Sequence, residues 1–186
     1  YAIVALLLGV AAAILVIGDE ILSGRTKDKN IGYIAEYLTA IGVDLREVRV
    51  VPDVEEEIVD ALNALRHRYT YVFTTGGIGP THDDITADCI ARAFGVGIDV
   101  DPRALALLKP YYEKRNLELT PGRLRMARIP DGATLVDNSV SIAPGRTALT
   151  RIFGASSAAM SRVSALSAAF VSPWARFPRT AFFAAT

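Results

Sequence analysis

"YVFTTGGIGPTHDDITAD", residues 71–88, decides how this chain is read. An apolar run rich in β-branched and aromatic residues ends in three glycines and a proline, and a helical pattern then begins at two adjacent aspartates. Gly76, Gly77 and Gly79 allow positive φ and close approach of a ligand to the backbone, while the N-terminus of the following helix can aim free N–H groups at an anion. The plainer reading is a tight turn in which Thr81 and Asp84 form a T-x-x-D capping box. A cap and an anion site can coexist, so both readings stand.

Working outward, strand and helix patterns alternate. A buried strand over residues 12–17 leads into "GDEILSG" (18–24). In "DKNIGYIAEYLTAIG" (28–42), Ile31, Ile34, Ala35, Leu38 and Ile41 share one helical face and Gly42 supplies the stop. "VDLREVRVV" (43–51) is a second strand, and "DVEEEIVDALNALRHR" (53–68) is a helix capped by Asp53, with a core stripe of Val54, Ile58, Leu62 and Leu65. A third strand over 71–74 and a third helix over 83–94 follow. Asp101 and Pro102 open a fourth helix, which Pro110 should kink or end, and "ATLVDN" (133–138) reads as the start of a return strand.

This alternation implies a doubly wound α/β fold: a mostly parallel sheet with helices on both faces. Ligands bind such sheets at the carboxyl ends of the strands, beside a topological switch point. With a 2-1-3 strand order, the loop after strand one, Asp53 after strand two, and "TGGIGPTHDD" (75–84) after strand three converge on one rim.

Composition narrows the function classes. A chain of 186 residues with zero formal net charge fits one core-bearing domain and lacks the basic excess of a nucleic-acid binder. The single cysteine, Cys89, excludes an internal disulfide framework, reads as a small buried hydrophobe and fits a cytoplasmic home.

The ends differ from the middle. Residues 1–10 are an extra apolar segment without the basic flank of a secretory signal, and the expectation is no membrane span and a trimmed or misassigned beginning. The domain is set at 11–145. No Asp, Glu or Lys follows Asp137, and residues 146–186 are rich in Ala, Ser and Arg without sustained period, as a slipped reading frame would produce.

The acids on the rim add a second signal. Asp83 and Asp84 adjoin the glycine loop, Asp19 and Glu20 lie on the neighbouring loop, and Mg²⁺ or another hard divalent cation takes one or two carboxylates plus phosphate oxygens. Taken alone, Asp19 and Glu20 read as a solvated helix start. His82 reads as a solvated neighbour, and residues 55–57 as a solvated helix face.

"AILVIGDEILSGRTKDKN", "VVPDVEEEI" and "TTGGIGPTHDDITAD" together resemble the MoaB/Mog molybdopterin-binding domain, in the form found in competence/damage-inducible (CinA-like) proteins. The resemblance runs from about Ala12 to Gly145. It implies a three-layer α/β/α fold and a small phosphate-bearing ligand, either molybdopterin or an adenine nucleotide. It also implies a catalytic pair, Asp84 and Asp53, with Ser23, Asn30, Thr75, Gly76, Gly77, Gly79 and Thr81 as ligand-binding positions. Three functional outcomes follow from it: a binding protein of molybdenum cofactor metabolism, a Mg²⁺-dependent adenylyltransferase or nucleotide pyrophosphatase acting on ADP-ribose-like substrates, and an inactive truncated module. Relatives continue past Gly145 with an apolar strand and a Gly-Val-Pro-type loop, which this chain replaces by "RTALTRIFGASSAAM". A sheet without that strand exposes an edge, which points to self-association into a homo-oligomer.

Overall fold

The computed structural model describes residues 10–135, together with two strands, Arg151–Phe153 and Phe183–Ala185. Strand β1 (Ala11–Ile17) is central. It pairs in parallel with β2 (Asp44–Val51) on one side and β3 (Tyr71–Thr75) on the other, giving the order β2-β1-β3. The anticipated switch point is therefore present.

Side chains of a strand alternate between the two faces of its sheet, so a central strand covered on both faces reads as a continuous apolar run. Ala12, Ile14 and Val16 pack with Ile34 and Leu38 of helix α2 (Asn30–Ala40) and with Tyr71 and Phe73. Ala13, Leu15 and Ile17 pack on the other face with Ile58, Leu62 and Leu65 of α3 (Glu55–Arg66) and with Cys89 and Ile90 of α4 (Thr86–Phe94). These are the three layers of an α/β/α fold. A short helix, α1 (Asp19–Leu22), follows β1 directly.

Cys89 is fully buried, and burial pushes its thiol up to about 12. So little thiolate makes it a packing residue and not a nucleophile.

A second, smaller core is built from α5 (Pro102–Glu113), α6 (Pro121–Leu124) and an antiparallel pair, β4 (Ile98–Val100) with β5 (Arg128–Pro130). Ala104, Leu108, Tyr112, Ala127 and Ile129 are its centre. Arg128 joins it to α4 by grasping Asp88 with its two terminal guanidinium nitrogens, at 3.0 and 2.8 Å. A Cβ on Gly122 of α6 would lie 2.9 Å from the carbonyl oxygen of Pro80, so this unit backs directly onto the glycine loop.

Several sequence expectations need correction. Val10, assigned from sequence to the extra apolar segment, accepts a hydrogen bond from the Asp44 amide and packs on the core. Ile41 is 37% exposed because α2 stops before it, and the ring-bearing Tyr33 and Tyr37 flank the core instead. Val54 is 45% exposed at the N-cap of α3, and Ala61 takes the expected place in the stripe. Asp53 does not cap α3, because its carboxylate is turned to α1. Pro110 neither ends nor divides α5, whose buried face runs on through Leu108 to Tyr112. Asp101 does cap α5, accepting from the Arg103 amide at 2.7 Å, and the Arg103 side chain holds its carboxyl down to about 2.

The return strand expected from Ala133 does not form at 133–135, and its remaining residues lie outside the described ones. So do residues 1–9 and the side chains of the tail. The two tail strands pair with each other in parallel and form a sheet separate from β2-β1-β3. Among the described residues no helix is long and apolar enough to cross a membrane.

Candidate functional site

The carboxyl ends of the three parallel strands open into a cleft of about 400 Å³. Its floor is Val16 and Ile17 at the end of β1, and Thr75, Gly76 and Gly77 continue from β3. Glu20 and Ile21 come from α1, Asp53 follows β2, and Thr81, Asp83 and Asp84 come from the far side of the glycine loop. Residues 26–30 close the remaining side. That volume lies within the range of pockets that enclose small-molecule ligands.

The glycine loop owes its path to two residues with positive φ, Gly76 at 96° and Gly77 at 60°. A Cβ on Gly76 would collide with the carbonyl oxygen of Ile17, and one on Gly77 with the Thr86 hydroxyl. Gly79 has a different task. It lies outside the cleft lining, and a Cβ there would sit 2.5 Å from Asp84 Oδ2, so this glycine makes room for the carboxylate.

Asp84 Oδ2 accepts from the Thr81 amide at 2.9 Å and from the Thr81 hydroxyl. The two residues are thus partners, but not as a helix cap. Helix α4 starts at Thr86, with Ile85 at its N-cap position, because the Thr86 amide is drawn to the carbonyl of Gly77 at 3.1 Å. Residues 81–85 are left as a turn. No residue of α4 lines the cleft, so the loop, and not the helix N-terminus, is what faces a ligand there.

Asp53 sits where the site opposes its ionisation. Burial raises its pKa first, and the negative charges of Glu20, Asp19 and Asp83 raise it further, against the lowering effect of the hydrogen bond from the Asp19 amide. That bond, 2.9 Å to Oδ2, ties the start of α1 to the end of β2. Asp19 therefore contributes its amide, while its side chain is not part of the lining.

A carboxyl whose folded pKa is raised binds its proton more tightly in the native state than in the unfolded one. Its ionisation costs stability as pH rises from the unfolded value through the folded one, and the whole cost is present at neutral pH. Asp53→Asn keeps an acceptor for the Asp19 amide and removes the charge. The variant should melt at a higher temperature than wild type at pH 7 and at the same temperature near pH 3, by calorimetry. An equal shift at both pH values would remove electrostatics as the cause.

Of the positions expected from sequence, Asn30, Thr75, Gly76, Gly77, Thr81, Glu20, Asp53, Asp83 and Asp84 line the cleft. Ser23 does not. It ends α1 in an exposed position and accepts from Arg25 Nε at 3.0 Å. Sequence reasoning missed Thr26, Lys27, Asp28 and Lys29. They sit on a loop held by the Thr26 amide on the Glu20 carbonyl at 2.9 Å and by the Ile31 amide on Asp28 Oδ1 at 2.7 Å. Their only signal was two lysines bracketing an aspartate immediately before a helix start on the same rim.

Among the described residues, no three His, Cys, Asp or Glu side chains gather as a ready metal cage. The carboxylates of Glu20, Asp53, Asp83 and Asp84 instead share one cleft beside the glycine turn. That donor set suits a hard cation that arrives with phosphate oxygens of its own.

The family described as a probable molybdopterin binding domain matches residues 13–173. The chain belongs to this family. The matched range passes the boundary at Gly145 and reaches into the tail set apart by composition. Relatives include a protein of Aeropyrum pernix, 41% identical over 134 residues, which make up 72% of this chain and 50% of that protein. Another, from Pyrobaculum aerophilum, is 43% identical over 134 residues with the same coverage. The chain thus spans about half the length of the curated relatives it matches. The solved structure of CinA from Thermoplasma acidophilum, described as a protein of unknown function, is 37% identical with a TM-score of 0.64. The match covers 73% of this chain and 79% of that one. Membership in the molybdopterin-binding domain family and the CinA-like form of the fold agree with the resemblance seen in the sequence.

Proposed function

We propose that the cleft binds a small phosphate-bearing ligand, a molybdopterin or an adenine nucleotide, with its phosphate on the turn at Gly76 and Gly77. In this reading the protein serves molybdenum cofactor metabolism in the cytoplasm. The observation that carries it is the pair of positive-φ glycines set in the wall of a ligand-sized cleft that also holds four carboxylates. Membership in the molybdopterin-binding domain family supports the pterin as one ligand. Glu20, Asp53, Asp83 and Asp84 are the residues that would hold Mg²⁺ or another divalent cation, which would offset phosphate charge beside them.

A second reading, hydrolysis of a pyrophosphate such as ADP-ribose, is favoured by Asp53. Its raised pKa and place in the cleft fit a proton acceptor, with Asp84 as its partner. Isothermal titration of the full chain against molybdopterin, ATP and ADP-ribose, with and without Mg²⁺, separates the ligands. The proposal expects saturable binding of at least one of them, tighter with Mg²⁺. Absence of binding to all three would overturn it.

A further inference from the structure

Thr86 is fully buried, yet it is a hydroxyl residue at the first turn of a helix whose core positions are otherwise apolar. Its hydroxyl donates to the carbonyl oxygen of Gly76 at 2.9 Å. Its amide donates to the carbonyl oxygen of Gly77 at 3.1 Å. One residue therefore holds two successive carbonyls of the glycine loop.

The geometry of the peptide unit gives this a consequence. No peptide bond among the described residues is cis, and in a trans peptide the C=O and the following N–H point in opposite directions. Holding the Gly76 carbonyl toward Thr86 turns the Gly77 N–H away from it. Holding the Gly77 carbonyl turns the Ile78 N–H away likewise. Neither amide donates to a protein acceptor among the described residues. Gly77 also lines the cleft, and successive free amides of a turn can form a nest for an anion.

Resting on the phosphate-binding reading above, we propose that Thr86 is the positioning residue of this nest: its hydroxyl, through the Gly76 carbonyl, sets the direction in which the Gly77 amide meets a ligand phosphate. The side chain itself does not touch the ligand. Without the hydroxyl the first peptide can rotate, and a phosphate must reorder it before binding.

The test uses ¹⁵N-labelled full chain titrated with AMP, following backbone amides, with melting temperatures measured in parallel. In wild type the largest ligand-induced shifts should fall on Gly77 and Ile78. Thr86→Val keeps the shape and removes the donor, and AMP affinity should fall about tenfold, the equivalent of one modest hydrogen bond. Thr86→Ser keeps the donor and loses the methyl, so it should melt lower with affinity unchanged. Equal affinity in all three proteins, or equal loss in Ser and Val, would overturn the proposal, since packing alone would then account for Thr86. Should Thr86→Val not fold, the wild-type shifts and the Ser variant still decide: largest shifts on other amides, or affinity lost in Ser, overturn it. Absence of any AMP-induced shift in wild type would overturn the proposal and the nucleotide half of the functional reading together, whereas loop shifts that persist unchanged in Thr86→Val overturn the role of Thr86 alone.

Discussion

Gly76→Ala is expected to destabilise the domain by about 2–6 kcal/mol, a large share of the roughly 5–15 kcal/mol that holds a typical domain together. Two causes add. A φ of 96° is strained for any residue with a Cβ, at a cost of about 1–3 kcal/mol. The added methyl also meets the carbonyl of Ile17, the last residue of the central strand, which is paired with Val51 of β2. A backbone oxygen in a sheet cannot step aside as a flexible side chain can, and overpacking of this kind costs about 1–3 kcal/mol more. Urea denaturation should show the midpoint falling with unchanged slope. A loss below about 1 kcal/mol would mean that the loop relaxes freely, and that the close approach of the turn to the strand does not constrain it.

Asp84→Asn is expected to leave the fold within about 1 kcal/mol of wild type while lowering turnover of ADP-ribose, under the hydrolytic reading, by roughly 10²–10⁴-fold. The amide oxygen can still accept from the Thr81 backbone N–H, so the turn over residues 81–85 should persist. What disappears is a negative charge in the cleft, one of four carboxylates available to a cation or a proton. Ligand affinity measured without Mg²⁺ should hold or improve, because a like charge beside the phosphate has gone. Measured with Mg²⁺ it should fall. If turnover and the Mg²⁺ effect were both unchanged, Asp84 would be left with the task of shaping the loop through Thr81.

The parts of this account legible in sequence are those where local pattern and tertiary burial agree. Residues 12–17 read as a buried parallel strand because both faces are covered, and each of them is at most 2% exposed. The stripes of α2 and α3 were readable for the same reason, apart from their end residues Ile41 and Val54, where the helix had already stopped or not yet begun. β4 and β5 were not readable. Three residues are too few to show alternation, and their pairing brings together Ile98 and Pro130, far apart in the chain.

The site was legible in its residue types more than in its bonds. The glycines and the two aspartates announced a turn beside charge, but the sequence could not show that Thr86 draws the loop carbonyls inward and so delays the helix start from residue 83 to residue 86. Nor could it show that Asp53 turns toward the Asp19 amide and away from its own helix. Thr86 reaches back nine and ten residues and Asp53 reaches thirty-four, beyond the span of local capping rules. Lys27 and Lys29 line the same rim, but a lysine pair before a helix start has no local pattern that separates a cleft wall from a solvated loop.

In the proposed function a ligand phosphate rests on the turn at Gly76 and Gly77 with a divalent cation beside it on the carboxylates. A crystal structure of the full chain grown with ATP and Mn²⁺, with the metal located by anomalous scattering, tests it most directly. Phosphate oxygens should lie within hydrogen-bond reach of the Gly77 amide, and an anomalous peak should appear among Glu20, Asp53, Asp83 and Asp84. Nucleotide bound elsewhere on the molecule, or seated in the cleft with its phosphates turned away from the glycine turn, would contradict it.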